Sequence, residues 1–197
     1  MAPPGPLVYP RRMRSSDPRD RRYTAEEYGR LPDYPDGRDE LVRGRRVHEP
    51  FPRPMHGHLQ ARIGGLLDGF VRAHGLGYVA VETGFVLERG PDTVRGPDVA
   101  FVSRARYGDT LPEHWPEFGP DLAVEVRSPS DRPGRLAEKI AQYFAAGTRL
   151  VWVIDPRERA AMVYRGPKAA RMLGAEGELE GEDVIPGFRC PIRELFD

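Results

Sequence analysis

The chain has 197 residues, and its 30 Lys and Arg balance 30 Asp and Glu, so the formal net charge is zero. That argues against a polybasic protein held on nucleic acid by bulk charge, though it leaves room for a local basic groove. The single cysteine, Cys190, excludes an intramolecular disulfide framework and a cysteine-cluster zinc site, while apolar runs such as 150–154 fall far short of the roughly 18 residues of a membrane span.

Residues 1–22 are rich in Pro, Arg and Ser without helical or strand period, and read as a disordered tail ahead of one domain over 23–197. Nothing in this tail resembles the apolar stretch of a secretory signal, so the expected setting is soluble and cytoplasmic. Thr24 with Glu27 three residues on predicts a capping box and a short helix ending before Pro32. The stretch 32–39 reads as a loop by its Pro, Asp and Gly. Residues 40–50 read as a hairpin around Arg43-Gly44.

Over 55–74, Leu59, Ile63, Leu66, Leu67 and Phe70 recur at steps of three and four, which predicts an amphipathic helix. Gly64 and Gly65 inside it each cost about 1 kcal/mol in propensity, and suggest close packing on a sheet. Strands are expected at 78–82, 84–88 and 98–102, with a turn at 89–93 and a loop at 103–120. Next come a strand at 121–127, a loop at 128–134 and a helix at 135–147 ending on Gly147. The nearly all-apolar 149–155 predicts a strand covered on both faces, pairing with 160–166 across Asp155-Pro156. The remainder reads as loop, one short strand and a C-terminal stub. This order of elements gives an α/β fold with a mixed sheet.

Three charged residues stand out within this frame. Asp98 follows Pro97 at the head of a strand. Glu125 alternates with Val124 and Val126, on the face of Ala123 and Arg127. An acid amid such apolar neighbours needs a cation, a metal or a mobile proton. Lys139 lies at the flank of the stripe formed by Leu136, Ile140, Tyr143 and Phe144, within reach of the preceding strand. It is one of only two lysines, with Lys168, among 30 basic residues. Two acids and a lysine at one sheet edge suit metal-assisted phosphodiester hydrolysis. Carboxylates hold a hard cation, the cation activates water, and the lysine orients that water and balances charge.

Each residue also has a plainer explanation. Asp98 can be a Pro-Asp turn residue, Glu125 a structural partner of Arg127, and Lys139 an exposed helix lysine. Tyr143 and Phe144 read as core. His56 and His58 are two apart and do not share a helix face, so they make no two-histidine metal site. Cys190 carries no expected role.

The short motifs R-G-P-D (95–98), V-E-V (124–126), S-P-S-D (128–131), E-K-I (138–140) and L-V-W-V-I-D-P (150–156) together resemble the Uma-two family, bacterial proteins grouped with restriction endonucleases. T-A-E-E-Y (24–28), D-E-L-V-R-G (39–44), H-G-H-L (56–59) and E-T-G-F (82–85) agree, so the resemblance spans roughly 23–195. It implies a restriction-endonuclease-like fold of the PD-(D/E)XK type, a mixed β-sheet flanked by helices. It implies an endonuclease that hydrolyses DNA with Mg²⁺ or Mn²⁺, acting as a homodimer. Asp98 matches the acid of the first half-motif and Glu125 that of the second.

Arg127 stands where the usual lysine is found, and the resemblance moves that lysine to the next helix, at Lys139. Glu40 matches a family acid read as a further metal ligand, although it can equally pair with Arg43, Arg45 and Arg46. Glu82 and His56 match recurrent positions and are accessory candidates; alone, Glu82 reads as a strand-end acid and His56 as a capping or packing residue. An Arg127 paired with Glu125 could fill the metal's place. That would give a catalytically degenerate module binding nucleic acid or a partner; a scaffold dimer is the third reading. The arginines at 43, 45, 46, 127, 132 and 135 are the candidates for a positive cleft.

Overall fold

The computed structural model describes residues 21–32, 34–129, 131 and 133–197; the tail expected at 1–22 lies almost wholly outside the described residues, as does Arg132. The capping box forms as its spacing predicts. Thr24 Oγ1 accepts from the Glu27 N–H at 3.2 Å, and the Thr24 N–H donates to Glu27 Oε2 at 3.1 Å. It starts a single-turn helix, α1 (Ala25–Tyr28).

The hairpin that follows is longer than expected: β1 runs Gly37–Val42 and β2 Arg45–Pro50. The Asp-Gly turn signal at 36–37 is overridden because Gly37, Arg38 and Asp39 find ladder partners in Pro50, Glu49 and His48. The turn itself sits at Arg43 and Gly44, both at positive φ (49° and 79°), the conformation a two-residue hairpin turn requires. Two more strands join this hairpin. β4 (Phe85–Glu88) and β5 (Thr93–Arg95) complete a four-stranded sheet in the order β2-β1-β5-β4. Thr93, expected in a turn, is a buried strand residue; a three-residue strand is too short to leave a period in the sequence.

The larger sheet has six strands. Its members are β3 (Gly77–Val81), β6 (Val99–Ser103), β7 (Leu122–Val126), β8 (Leu150–Asp155), β9 (Ala160–Gly166) and β10 (Ala169–Leu173). They lie in the order β10-β9-β8-β7-β6-β3. Only β7 and β8 are parallel, joined through helix α4 (Pro133–Ala145); every other neighbouring pair is antiparallel. The expected mixed α/β sheet is therefore present. The stretch read as loop 103–120 contains a single-turn helix, α3 (Arg104–Tyr107). A small β11–β12 ribbon (Glu178–Glu180, Arg189–Pro191) precedes a final 3₁₀ turn.

Strand alternation divides the core as the sequence predicts. Leu122, Val124, Val126, Leu150, Trp152 and Ile154 face helix α2 (Pro54–His74), against Leu59, Ile63, Leu67 and Val71. The opposite face carries Ala123, Val151 and Val153 against Ile140 and Tyr143 of α4. Glu125 belongs to this second face, so its side chain points at the crossover helix. Gly64 does pack on the sheet: a Cβ there would meet Val99 at 3.6 Å and Val81 at 3.7 Å, whereas one at Gly65 would meet nothing within 4 Å. Among the described residues, no helix is long and apolar enough to cross a membrane.

Candidate active site

The acids of the two half-motifs come together because β6 and β7 are antiparallel neighbours. Val99 pairs with Val124, so Asp98 and Glu125 each lie one residue beyond that pair, at the same end. Asp98 is 1% exposed, and Glu125 is buried as well. Asp98 Oδ2 accepts the Val126 backbone N–H at 2.7 Å. Its Oδ1 receives Arg38 Nη2 at 3.0 Å and lies 3.1 Å from His56 Nε2. Burial alone would raise this acid. The His56 hydrogen bond, the charges of Lys139 and His56, and the Val126 N–H outweigh burial and hold Asp98 at about 2. His56 is raised in turn: burial opposes its charge, but the hydrogen bond to Asp98 prevails.

Helix α4 supplies the cation. Lys139 Nζ lies 2.8 Å from Glu125 Oε2 and 3.1 Å from Glu40 Oε1. Tyr143, one turn later on the same face, donates its hydroxyl to Glu125 Oε1 at 2.7 Å. Tyr143 was expected as core; it is core by burial and a site residue by its hydroxyl. Burial pushes Glu125 up to about 7, with Asp98 and Glu40 adding to it, more than Lys139 draws it down. Burial works against the Lys139 charge too, but three surrounding carboxylates raise its pKa above the ordinary lysine value.

Glu40 reaches the site from β1. Its Oε2 takes Arg95 Nη1 at 2.7 Å, and its Oε1 takes the Gly96 N–H at 3.1 Å besides Lys139. Burial disfavours the Glu40 charge, but Lys139 and Arg95 overcome it and lower its pKa. It does not pair with Arg43, Arg45 or Arg46, because alternation turns Arg38 and Glu40 toward the site. Arg43 instead meets Glu138 at 3.5 Å, and Arg46 is held by Asp39. Among the described residues, no three His, Cys, Asp or Glu side chains are grouped to hold a metal ion. The expected triple set of Asp98, Glu125 and Glu40 thus does not form, since Lys139 stands between Glu40 and Glu125.

The remaining candidates divide. Glu82 joins the site: Arg38 Nη1 lies 2.9 Å from its Oε1, and Gln60 of α2 donates to the same oxygen at 3.0 Å. Gln60 also donates to the Asp98 carbonyl at 3.2 Å. Arg127 leaves the site. It pairs with Asp155 at the end of β8 instead of Glu125.

Arg38, Arg95 and Gln60 were not foreseen. Arg95 stands in the R-G-P-D motif, and Arg38 shares the two-residue alternation with Glu40, but the Pro-Asp-Gly turn signals at 35–37 mask the start of that strand. Glu49 stands opposite Arg38 in the β1–β2 ladder. Its carboxyl is pushed up by burial and then by Glu40.

This arrangement binds two buried acids of unlike proton affinity at adjacent strand positions, with a charged lysine against one of them. The family model described as "Putative restriction endonuclease" matches residues 25–193. A solved structure from Anabaena variabilis, described as "a putative nuclease belonging to DUF820", shares the fold with a TM-score of 0.76. It is 20% identical, and the match covers 88% of this chain and 97% of that one. No protein of curated function matches the sequence. With most of its length matched by that family model, the chain belongs to the Uma2 family of restriction-endonuclease-like proteins.

Proposed function

We propose that the chain is a Mg²⁺- or Mn²⁺-dependent endonuclease that hydrolyses phosphodiester bonds of DNA, with Asp98 and Glu125 as metal-holding acids and Lys139 as the group that orients the attacking water. The observation that carries this reading is the meeting of Asp98 and Glu125 at one end of β6 and β7, with Lys139 2.8 Å from Glu125.

The donor set suits the cation. Mg²⁺ is commonly held through one or two carboxylates, with waters and substrate phosphate completing its shell, and it needs no all-protein cage. Asp98 and Glu125 offer two hard oxygens of this kind. When bound, the ion supplies Lewis-acid polarisation of the phosphoryl oxygen and a more acidic water. The Val126 N–H fixes the Asp98 carboxylate, and Tyr143 fixes that of Glu125. Lys139, kept charged by three acids, donates to water and offsets the negative charge that builds on phosphorus. Glu40 acts through Lys139 and Arg95, as the residue that positions both.

The alternative of a disabled site depended on Arg127 filling the metal's place, and Arg127 pairs with Asp155. Calorimetric titration with Mn²⁺, on the wild type and on Asp98→Ala, tests the reading. Binding that disappears in the variant, together with Mg²⁺-dependent nicking of plasmid DNA by the wild type alone, is the expected result. A folded wild type that binds neither ion, with or without DNA, would falsify it.

A further inference from the structure

We propose that Arg38 is a resident counter-cation, displaced from Asp98 by the divalent ion and then free to clamp the phosphate of the substrate. The inference rests on the metal-dependent nuclease reading above and adds to it a residue and an order of events.

Asp98 has two oxygens, and Oδ2 is committed to the Val126 backbone N–H. Oδ1 is the oxygen left for a metal, and it is occupied by Arg38 Nη2 at 3.0 Å and by His56 at 3.1 Å. Of these two neighbours, Arg38 carries the permanent charge. A dication on Asp98 therefore repels Arg38 first, whereas an imidazole can stay on as a neutral hydrogen-bond donor. With Glu125 ionised and His56 neutral, the acids Glu40, Glu82, Asp98 and Glu125 of the hydrogen-bonded set face Arg38, Arg95 and Lys139, an excess of one negative charge. Without Arg38 the excess is two, the charge a divalent ion neutralises.

The three cations are also held differently. The Arg95 side chain is 7% exposed and that of Lys139 13%, and the acids they meet, Glu40 and Glu125, are 6% and 9% exposed. Arg38 is 29% exposed, and its second anchor, Glu82, is 39% exposed. The β1 backbone is fixed by its ladder with β2, so the movement needed is confined to one side chain. A guanidinium freed at that rim presents paired N–H donors, which match a phosphate bidentately. The Glu40-anchored Arg95 has no such freedom, because Gln142 holds its other nitrogens at 2.7 and 2.9 Å.

The test compares the full-length wild type with Arg38→Gln and Arg38→Lys. Mn²⁺ affinity is read by calorimetry, and affinity for a blunt DNA duplex by fluorescence anisotropy over a range of salt. Arg38→Gln is expected to bind Mn²⁺ about tenfold more tightly, since it removes one opposing charge. It should bind the Mn²⁺-dependent duplex more weakly, with a salt slope lower by about one phosphate contact. Arg38→Lys keeps the charge and should stay near wild type for the metal. Damage to the fold cannot produce a gain in metal affinity, so that gain reports on displacement.

Equal or weaker Mn²⁺ binding by Arg38→Gln, in a protein whose wild type binds and whose Asp98→Ala does not, overturns the proposal and leaves the nuclease reading standing. Tighter metal binding with an unchanged DNA salt slope overturns the phosphate clamp. Failure of the wild type itself to bind Mn²⁺ overturns the reading and this proposal together.

Discussion

The backbone N–H of Val126 donates to Asp98 Oδ2 at 2.7 Å, so the acid at the head of β6 is tied to the strand that carries Glu125. This bond continues the β6–β7 pairing through a side chain, one position past the last backbone ladder pair on β6 and two past it on β7. Asp98 is consequently a structural residue as well as a proposed ligand.

Replacing Asp98 by Asn should therefore cost stability as well as activity. Its pKa of about 2 lies below the ordinary 3.8, so its ionised form favours the fold. That contribution is complete above about pH 4 and is lost as the pH falls through 2. At pH 7 its loss is worth about 2 kcal/mol. Urea melts at pH 7 check the size of the loss, and nicking of plasmid DNA should fall by at least about a hundredfold.

Glu125 has the opposite sign. Its pKa of about 7 lies above the ordinary 4.5, so the native state holds its proton more tightly than the unfolded chain does. The group favours folding below about pH 4.5, and this contribution disappears as the pH rises to 7. Glu125→Gln should remove that slope and make the protein more stable than wild type at pH 8, by about 2 kcal/mol, while abolishing cleavage. Parallel melts at pH 5 and pH 8 decide it; a variant less stable than wild type at both would show that the buried charge is fully compensated.

Among the described residues, Lys139 is the only cation in contact with Glu125, and one of two in contact with Glu40. Lys139→Met keeps the unbranched stem, one atom shorter, but leaves two buried acids short of a partner. A loss of about 3–5 kcal/mol is expected, as for other buried pairs broken on one side. Adding Glu125→Gln should restore part of it. Additivity in that double mutant, measured by chemical denaturation, would contradict a direct interaction.

How much of this was legible in the sequence depends on the distance over which each signal acts. The faces of β7 and α4 follow from periods of two and 3.6, which set Glu125 and Lys139 toward one another. The capping box at Thr24 and the turn at Arg43-Gly44 are equally local. β5 was not legible, because Thr93, Val94 and Arg95 are strand only by virtue of partners in β1 and β4. Arg95 and Arg38 sit on β5 and on the first half of β1, where the local signal is weakest. Tyr143 shows a different limit. A tyrosine in an apolar stripe reads as packing, and only the third dimension shows which acid its hydroxyl meets.

Gly65 lies inside α2 with open space around it. Alanine there removes a helix-interior glycine without touching a neighbour, and should stabilise the protein by about 1 kcal/mol. A rise in the thermal midpoint with unchanged Mn²⁺ affinity is the expected outcome. A fall would mean that the outer face of α2 is covered in solution.

Cys190 is buried in the ribbon near the C-terminus, and burial pushes its thiol up to about 11. It should resist alkylation at pH 7.5 in native buffer and react promptly in 6 M guanidinium. Mass spectrometry after a short pulse of iodoacetamide gives the answer. Rapid native labelling would indicate that β11 and β12 open readily.

Lys139 reaches Glu125 from α4, the crossover between the parallel strands β7 and β8. A lysine on the acid's own strand has its distance fixed by the pleat, whatever the rest of the molecule does. Here that distance is set by how the helix seats on the sheet, through Ile140 and Tyr143. Outside, Glu138 of α4 meets Arg43 in the β1–β2 turn. The spacing between acid and ammonium thus depends on how the whole helix seats on the sheet.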